Sequence, residues 1–369
     1  MNIVMAFNDA VAEQALVTIY SVAKNNQLAK IKLSILYSSL SDRNVEKCRR
    51  IASFYDNLEV SLILVKKNAL KQLEVTNKSV SIEAYYRYMA CDLVELQEAK
   101  RVLYLDADIL CLGSLKDLYE TDLEGYYLAA AEDKWIALGD DPKYKGFKKG
   151  IGFSNEKYIN SGMLLFNLEK IRKDSMMKTF WQNMENKNTL IPKKYNIFAD
   201  QTITNMTFKG YINIVPNKWN CLLSAIPFLS AQDKSGVVLY HFAGAYKPFS
   251  YYNSQTKDIM NEYTTHNSDI IDVIGYNNNG QRIFDSLNGL RDALTQKSIV
   301  IDNQQKDIDS LVRLRQTVRD KENHVKELVT ELGIVREEHD RLLRSRSYRL
   351  TQNITGIIPR KHTSNEKEK

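Results

Sequence analysis

Apolar residues in about the first 245 positions fall into short continuous runs separated by helix-like stretches. The runs are Ile3 to Phe7, Lys32 to Tyr37, Val60 to Val65, Val102 to Leu105, Met163 to Phe166 and Val237 to Tyr240. Apolar runs without polar alternation are typical of strands covered on both faces. Their alternation with helices predicts an α/β sheet protein. Ligands of such sheets bind where strands give way to loops, so the residues that follow the runs are candidate site residues.

The pattern changes after about residue 265 and passes through the Asn- and Gly-rich sequence YNNNG at positions 276–280. From Leu287 to Leu343 apolar side chains recur at heptad spacing, interrupted by polar residues such as Gln304 and Arg315. We predict an α/β domain over 1–265, a linker over 266–286, a coiled coil over 287–345 and a tail over 346–369. The coiled coil predicts a homo-oligomer, and a helix packed against the globular domain is the alternative.

The sequence at positions 341–361, RLLRSRSYRLTQNITGIIPRK, contains basic and apolar residues but no acidic residue. A segment that combines positive charge with apolar side chains suits an anionic membrane surface. The alternative is a disordered, solvated tail. We therefore predict peripheral membrane attachment through this segment and keep the solvated tail as the competing interpretation.

Composition restricts the class of protein. The chain has 369 residues, is 44% hydrophobic and carries a net charge of +6, which indicates a globular protein and gives no reason to expect nucleic-acid binding. Four scattered cysteines, Cys48, Cys91, Cys111 and Cys221, include no C-x-x-C pair and predict neither disulfides nor a zinc site. The first residues lack a signal-peptide pattern, and no run of eighteen apolar residues occurs. We expect a cytoplasmic protein.

The sharpest chemical feature is Asp106-Ala107-Asp108, directly after the apolar run that ends at Leu105. Side chains two positions apart on an extended chain point the same way, so both carboxylates can bind one hard cation. A second D-x-D sequence, Asp307-Ile308-Asp309, lies in the heptad region, where helical geometry separates the two carboxylates. Only the first copy has the strand-end position that a metal site requires.

A third candidate ligand, His241, follows the apolar run that ends at Tyr240, and Gly244 and Lys247 come shortly after it. Two carboxylates and one imidazole leave positions for diphosphate oxygens or water, and the nitrogen ligand favours Mn²⁺ over Mg²⁺. Lys247 would neutralise charge on a departing diphosphate. A hydrogen-bonded structural histidine is the alternative for His241.

Six segments in order resemble the retaining glycosyltransferases of family 8, which include lipopolysaccharide galactosyl- and glucosyltransferases and glycogenin. They cover about residues 1–250 and read MNIVMAFND at the start, YYRY at 85–88, RVLYLDADIL at 101–110, YINSGMLLFNL at 158–168, FADQTITN at 198–205 and HFAGAYKP at 241–248. The resemblance implies a nucleotide-diphosphosugar transferase (GT-A, Rossmann-like) mixed-sheet domain, followed here by the helical coiled coil and basic tail. It also implies Mn²⁺ as cofactor, with Mg²⁺ as the alternative, and a UDP-hexose as donor.

The resemblance also implies a role for each matching residue. Asp106, Asp108 and His241 match the metal ligands, and Gln201, Asp200 and Lys247 the catalytic group, with Gln201 near the anomeric carbon. The donor-binding residues are Ala6, Asn8, Arg87, Ala107, Asn160, Ser161, Gly162, Gly244 and Lys247. Asp133 is a weaker match to a sugar-binding acid.

The first motif departs from the family pattern, which usually runs acid-acid-Asn-Tyr where this chain has Asn8-Asp9-Ala10-Val11. Asn8 can still accept a hydrogen bond from uracil. Each motif has a structural alternative: Asn160-Ser161-Gly162 as an ordinary turn, Asp200 as a helix N-cap, and Arg87 as a cation–π partner of the neighbouring tyrosines.

The predicted function is Mn²⁺-dependent transfer of a hexose, with retention, from a UDP-sugar to a glycan or lipid-linked glycan in bacterial surface polysaccharide or lipopolysaccharide synthesis. The predicted location is the inner face of the cell membrane. A non-catalytic scaffold with a nucleotide-sugar fold and a glycogenin-like enzyme that glucosylates its own tyrosines are the alternatives.

Overall fold

The computed structural model describes residues 1–66, 70, 82–139, 146–195, 198–244, 247–248 and 255–274, together with the single positions 337 and 341. All the elements given below belong to the first of two units of the chain, Met1–Tyr276; the second unit spans Asn277–Lys369. The predicted coiled coil over 287–345 and basic tail over 346–369 lie outside the described residues apart from those two positions.

Ten strands occur in the described part of the chain. They are β1 (Asn2–Ala6), β2 (Ile31–Tyr37), β3 (Leu58–Leu64), β4 (Arg101–Leu105), β5 (Ile109–Cys111), β6 (Leu128–Ala131), β7 (Met163–Asn167), β8 (Ile212–Val215), β9 (Cys221–Leu222) and β10 (Leu239–His241). Each of the six apolar runs in the sequence overlaps one of these strands. Strands β5, β6, β8 and β9 were not among the predicted runs.

Seven strands form the main sheet in the order β3-β2-β1-β4-β7-β6-β8. All neighbouring pairs are parallel except the two pairs that involve β7, which is antiparallel to β4 and to β6. The predicted mixed α/β sheet is therefore confirmed. Strands such as β4 and β6 are buried along almost their whole length, because helices and loops cover both faces.

A second sheet of three strands, β5-β10-β9, lies beside the first. Strand β10 pairs antiparallel with β5 and parallel with β9, so His241 lies opposite Ile109. This small sheet joins the segment that follows the first D-x-D sequence to the segment that carries the histidine.

Eleven α-helices belong to the same described residues. They are α1 (Ala12–Asn25), α2 (Asp42–Phe54), α3 (Lys116–Tyr119), α4 (Lys134–Leu138), α5 (Phe147–Gly150), α6 (Leu168–Lys173), α7 (Met176–Glu185), α8 (Lys187–Leu190), α9 (Ala199–Thr207), α10 (Ala231–Lys234) and α11 (Lys257–Val273). Six 3₁₀ helices occur at Asp9–Val11, Ile82–Asp92, Val94–Leu96, Lys193–Tyr195, Asn217–Trp219 and Leu223–Phe228. Within the described residues, no helix is both long enough and apolar enough to cross a membrane.

Helix α11 packs against α1 and α2 and continues through residue 265, where we placed the end of the α/β domain. Its buried residues include Ile259, Tyr263 and Ile270, which belong to the core cluster on that face of the main sheet. The ring of Tyr263 contacts Phe242 edge-on, with centroids 5.1 Å apart. Burial of this face ties α11 to the strand segment that carries His241.

Candidate metal and donor site

The site lies at the point of the main sheet where the chain reverses its direction of strand addition. Strands β1 and β4 are parallel neighbours, and Ile3 pairs with Leu103. The chain runs from β1 outwards to β2 and β3, and returns to place β4 on the other side of β1. Crevices that bind ligands in α/β sheets open beyond the carboxyl ends of strands at such a point. Asp106 directly follows β4 and therefore lies at this crevice.

Three ligand-type side chains converge there. The Nε2 atom of His241 lies 3.2 Å from Oδ1 of Asp108 and 3.6 Å from Oδ2 of Asp106. One ligand atom from each of these residues lies within 4.8 Å of the others. The structure thus brings together the two carboxylates and the imidazole that we selected from the sequence.

The D-x-D turn is held from several sides. The Asp106 amide N–H donates to the carbonyl of Gly162 at 2.8 Å, and the Phe242 N–H donates to the Asp108 carbonyl at 2.9 Å. The hydroxyl oxygen of buried Thr18 in α1 lies 2.9 Å from the Ala107 carbonyl oxygen and 2.7 Å from that of Ile109, and it accepts from the Ile109 N–H at 3.1 Å. Ala107 therefore serves the site through its backbone, and the direction of the two carboxylates is fixed by the fold.

Asn220 holds the other side of the imidazole. The Nδ1 atom of His241 lies 3.0 Å from Oδ1 of Asn220, and His241 is only 2% exposed. An imidazole held through Nδ1 presents Nε2 as its ligand atom. The sequence reading missed Asn220, although a single polar residue between buried Trp219 and the apolar sequence CLL was a usable signal.

Gly162 packs directly against the triad. A Cβ built on this residue would lie 2.2 Å from Cε1 of His241 and 2.8 Å from Oδ2 of Asp106. No side chain can occupy that space while the imidazole keeps its place. Glycine at this position therefore has a steric reason in addition to its role in a turn.

A buried network of amides adjoins the triad. Asn160 donates from Nδ2 to Oε1 of Gln201 at 3.1 Å and to Oδ2 of Asp133 at 3.3 Å. Gln201 donates from Nε2 to the same Asp133 oxygen at 3.0 Å and accepts from the Ser161 N–H at 3.1 Å. Four residues selected from the sequence, including the weaker match Asp133, thus meet in one hydrogen-bonded group.

Arg87 is a buried cation between two carboxylates. Its Nη2 lies 3.2 Å from Oδ1 of Asp106 and 3.8 Å from Oδ2 of Asp200, and its Nη1 donates to the carbonyl of Ser161. The guanidinium carbon also lies 5.9 Å from the ring centre of its neighbour Tyr88 and 4.7 Å from that of Tyr104, which is distant in sequence. Both interpretations of Arg87 fit this geometry, because the side chain contacts an aromatic ring and also faces the site.

Asp200 lies in the first turn of α9, one residue after the helix begins, and the N-cap of that helix is Phe198. Its carboxylate faces Arg87, and the helix does not use it as an N-cap. The N-cap interpretation of Asp200 is therefore wrong. The next residue, Gln201, points from the same turn into the amide network.

Electrostatics separates the carboxylates of the site into two groups. Burial by itself would raise the pKa of Asp108, but His241 and Lys247 outweigh burial and lower that pKa below its usual range. Burial raises the pKa of Asp133 and of Asp200, against the opposing effects of hydrogen bonds and of Arg87. A pocket with carboxylates of both kinds is typical of a functional site.

Lys247 contacts one of the three candidate metal ligands, because its ammonium group is hydrogen-bonded to Oδ2 of Asp108. Gly244 precedes it with a φ of +66°, a left-handed backbone conformation that favours glycine. His241 and Lys247 thus lie on either side of Gly244 in the sequence, and both contact Asp108.

Ala6 and Asn8 lie at the carboxyl end of β1, beside the same crevice. The side chain of Asn8 donates to the buried carboxylate of Glu83 at 2.9 Å and accepts from the Ala10 N–H at 3.0 Å. The neighbouring Asp9 accepts from the backbone and hydroxyl of Ser41, so it does not contact the triad. Glu83 was missed in the sequence, because nothing in it links two positions so far apart.

The donor set fits a divalent cation. Two carboxylates and an imidazole nitrogen are hard or borderline ligands suited to Mn²⁺ or Mg²⁺. The imidazole has the outer-shell hydrogen bond that ligating histidines normally make. Asp106, Asp108 and His241 would hold the ion, and Lys247 would share the task of binding the diphosphate.

Known proteins resemble this chain over the same region. A family model described as Glycosyl transferase family 8 matches residues 2–253. A putative glycosyltransferase of Haemophilus influenzae is 28% identical over 251 residues, which are 67% of this chain and 72% of that protein. A lipopolysaccharide 1,2-glucosyltransferase of Escherichia coli is 26% identical over 244 residues, which are 64% of this chain and 69% of the relative.

Among solved structures, the galactosyltransferase LgtC in complex with donor and acceptor sugar analogs superimposes with a TM-score of 0.60 and 24% identity. The match covers 73% of this chain and 96% of that one, and it shows that the two share the GT-A-like mixed-sheet fold. The GT-A-like fold predicted for the α/β domain is confirmed, while the coiled coil and the basic tail stay predictions. Because the family model matches well over half of the chain, this protein belongs to glycosyltransferase family 8.

Proposed function

We propose that this protein transfers a hexose, glucose or galactose, from a UDP-sugar to a glycan acceptor, with Mn²⁺ held by Asp106, Asp108 and His241 and with retention of the anomeric configuration. The observation that carries the proposal is the meeting of these three side chains within 4.8 Å at the carboxyl end of β4. Three residues from two separate strand ends form one ligand set, with Lys247 beside it. Membership of family 8 supports the same activity.

The bound metal ion would supply electrostatic stabilisation to the diphosphate leaving group. Lys247 places a positive charge beside Asp108. This charge would stabilise the negative charge that the diphosphate gains as UDP departs. The lowered pKa of the Asp108 carboxyl keeps this ligand ionised at neutral pH. Arg87, buried against Asp106, holds that ligand in place while adding a second positive charge near the phosphates.

The amide network would bind the donor sugar. Asp133, Asn160 and Gln201 are buried and hydrogen-bonded to one another, and Asp200 adds a carboxylate from the first turn of α9. Sugar hydroxyls both donate and accept, so they suit a mixed set of this kind. The carbonyl oxygen of Gln201 already accepts from Ser161 and Asn160, and an amide is a weak nucleophile. We assign it to orienting the sugar at the anomeric carbon.

The chemical step that we propose forms no bond between the sugar and the protein, because Gln201, which we assign to the anomeric carbon, is a weak nucleophile. The bond from the anomeric carbon to the β-phosphate oxygen breaks, and its electron pair leaves with UDP. The acceptor oxygen forms its bond on the face that UDP has just vacated, and its proton passes to the departing phosphate oxygen. This order of events retains the configuration. NMR of the product linkage tests it, and an inverted product would exclude it.

The acceptor that we propose is a lipid-linked or surface glycan of the lipopolysaccharide type. The lipopolysaccharide 1,2-glucosyltransferase of Escherichia coli that resembles this chain supports it, as does the basic, apolar sequence at 341–361. Such acceptors are assembled at the inner membrane face, so we propose a cytoplasmic protein attached there by its tail. We also propose that the segment over 287–345 joins copies of the chain into a homo-oligomer.

The test is a donor screen with the full-length protein. UDP-glucose, UDP-galactose and UDP-N-acetyl sugars are incubated with Mn²⁺, with Mg²⁺ or with EDTA, and UDP release is measured. We expect release from one hexose donor, fastest with Mn²⁺ and lost with EDTA. Release from none of the donors would favour the scaffold alternative. Sugar found on the protein's own tyrosines by mass spectrometry would favour the self-glucosylating alternative.

A further inference from the structure

The buried side-chain amide of Asn220 contacts His241, one of the three candidate metal ligands, and Asn160, a member of the buried amide network of Asp133, Asn160, Ser161 and Gln201. It is 1% exposed, lies 3.0 Å from Nδ1 of His241, and donates to Oδ1 of Asn160 at 2.9 Å. It follows the 3₁₀ helix Asn217–Trp219 and precedes β9, so its backbone is fixed by the small sheet. One side chain therefore links two groups of residues with different tasks.

The orientation of this amide follows from an unambiguous donor. The backbone N–H of Gly162 donates to Oδ1 of Asn160 at 3.0 Å, so that atom of Asn160 is an acceptor. The atom of Asn220 that faces it must then be the amide nitrogen, and Oδ1 of Asn220 is left to face His241. An oxygen can only accept there, so Nδ1 of His241 carries a proton, and Nε2 is the ring nitrogen left to bind a cation.

A second backbone group fixes the rest of the network. The N–H of Ser161 donates to Oε1 of Gln201, so Nε2 of Gln201 donates to Asp133. Nδ2 of Asn160 then donates to that same Gln201 oxygen. The amides of Gln201, Asn160 and Asn220 thus form a continuous series that ends on the imidazole. A ligand that changed the hydrogen bonds of Gln201 or Asn160 would therefore affect His241 through Asn220.

We infer that Asn220 is a positioning residue: its oxygen sets the tautomer and ring direction of His241, and its nitrogen couples the metal site to the donor-sugar pocket. This inference rests on the proposed function, because it needs a divalent cation at Asp106, Asp108 and His241. Outer-shell partners of metal-binding histidines commonly contribute about 10- to 100-fold to metal affinity. The side chain of Asn220 contacts His241 and Asn160. Its effect on metal affinity would therefore pass through His241, and its effect on sugar binding through Asn160.

Two variants of Asn220 separate its two contacts. Asn220→Ala removes both, so we expect Mn²⁺ affinity, measured by electron paramagnetic resonance of free Mn²⁺, to fall about 10- to 100-fold. Asn220→Asp keeps an oxygen for Nδ1 of His241 but places a second oxygen against Oδ1 of Asn160. We expect this variant to recover most of the Mn²⁺ affinity and to weaken UDP-hexose binding while UDP binding stays near that of the wild type.

Asn217→Ala is the matched control, since Asn217 is a buried asparagine on the same 3₁₀ segment whose amide lies 3.5 Å from the Asp233 carbonyl. We expect its Mn²⁺ affinity to match the wild type. Circular dichroism reports whether each variant is folded, and Asn220→Asp carries the test if Asn220→Ala is not. Mn²⁺ affinity of Asn220→Asp as low as that of Asp108→Asn would overturn the inference, as would wild-type affinity in a folded Asn220→Ala.

The wild type and Asp108→Asn tell this failure apart from failure of the proposed function. If the wild type binds Mn²⁺ and Asp108→Asn does not, the metal site stands, and the Asn220 variants alone decide the inference. If neither protein binds Mn²⁺ in the presence of UDP, the proposed metal-dependent function is wrong, and the inference about Asn220 is wrong as well.

Discussion

Gly162 lies so close to His241 that a Cβ built on it would fall 2.2 Å from Cε1 of the imidazole. The same Cβ would lie 2.8 Å from Oδ2 of Asp106, so the glycine contacts two of the three metal-type ligands at once. Its backbone contributes as well, because the Gly162 carbonyl accepts from the Asp106 N–H and its own N–H donates to Asn160. The turn before β7 thus packs directly against the candidate metal ligands His241 and Asp106.

Gly162→Ala should therefore damage the site more than the fold. We expect the added methyl group to displace the imidazole, to lower Mn²⁺ affinity, and to cost about 1–3 kcal/mol of stability through overpacking. Titration with Mn²⁺ and urea unfolding measure the two effects. Gly113→Ala is the control, because a Cβ there would meet Val238 at 3.4 Å, an ordinary contact. Equal Mn²⁺ affinity in both variants would contradict the steric role of Gly162.

Thr18→Val tests how the D-x-D turn is held. The substitution keeps the shape of the side chain but removes the hydroxyl that contacts the Ala107 and Ile109 carbonyls and accepts from the Ile109 N–H. Buried groups that lose their partner cost about 1–3 kcal/mol each, so we expect the free energy of unfolding to fall by that amount. We also expect weaker Mn²⁺ binding. Thr265→Val, at an exposed threonine whose hydroxyl donates to the Asn261 carbonyl at 3.0 Å, is the control, and an equal loss there would refute the role of Thr18.

Cysteine reactivity gives a pH-dependent prediction. Burial raises the pKa of Cys48 and of Cys111 to about 12 and that of Cys221 to about 11, and Cys91 is raised in the same direction. All four are free thiols. We expect iodoacetamide at pH 8 to label them only when the chain is unfolded. Labelling of the folded protein at the rate of a free thiol would contradict the buried placement.

The sign of the linked stability follows from these raised values. An unfolded chain ionises its thiols near pH 8.5, whereas the folded chain keeps the proton until about pH 11 to 12. The stabilisation is fully present below about pH 8.5 and is lost as the pH rises through the folded values. Urea unfolding between pH 8 and 11 should show the decline, and replacing Cys48 by Ala should reduce its slope.

The basic segment at 341–361 predicts binding to anionic membranes. We expect the full-length chain to sediment with vesicles of anionic phospholipid and a chain lacking 341–369 to stay in the supernatant. Raising the salt concentration should release the full-length protein, because screening weakens exposed charge interactions. Vesicles of neutral lipid are the control. Equal sedimentation of the shortened chain would exclude the tail as the anchor.

Local pattern was enough to predict the strand ends and the metal-type ligands. Asp106 and Asp108 follow a buried apolar run, and His241 ends another, so the rule that ligands bind beyond strand ends selected all three. The small sheet that brings them together was not predictable, because β5 has three residues and β9 has two. Short strands leave no periodic signal.

Contacts between distant polar residues could not be predicted from the sequence. Asn220 and His241 are 21 positions apart, and Asn8 and Glu83 are 75 apart. No helical or strand period relates such pairs, so only the fold reveals them. The chemistry of both pairs is nonetheless ordinary, because buried Glu83, Asn220 and His241 each have a hydrogen-bond partner.

Crystals grown with Mn²⁺ and UDP test the central claim most directly, because anomalous scattering locates the metal without reference to activity. We predict one strong peak at bonding distance from the carboxylates of Asp106 and Asp108 and from Nε2 of His241, touching the diphosphate, and no peak in Asp108→Asn. UDP bound in the crevice with Mn²⁺ elsewhere, or with none at these three residues, would contradict the account.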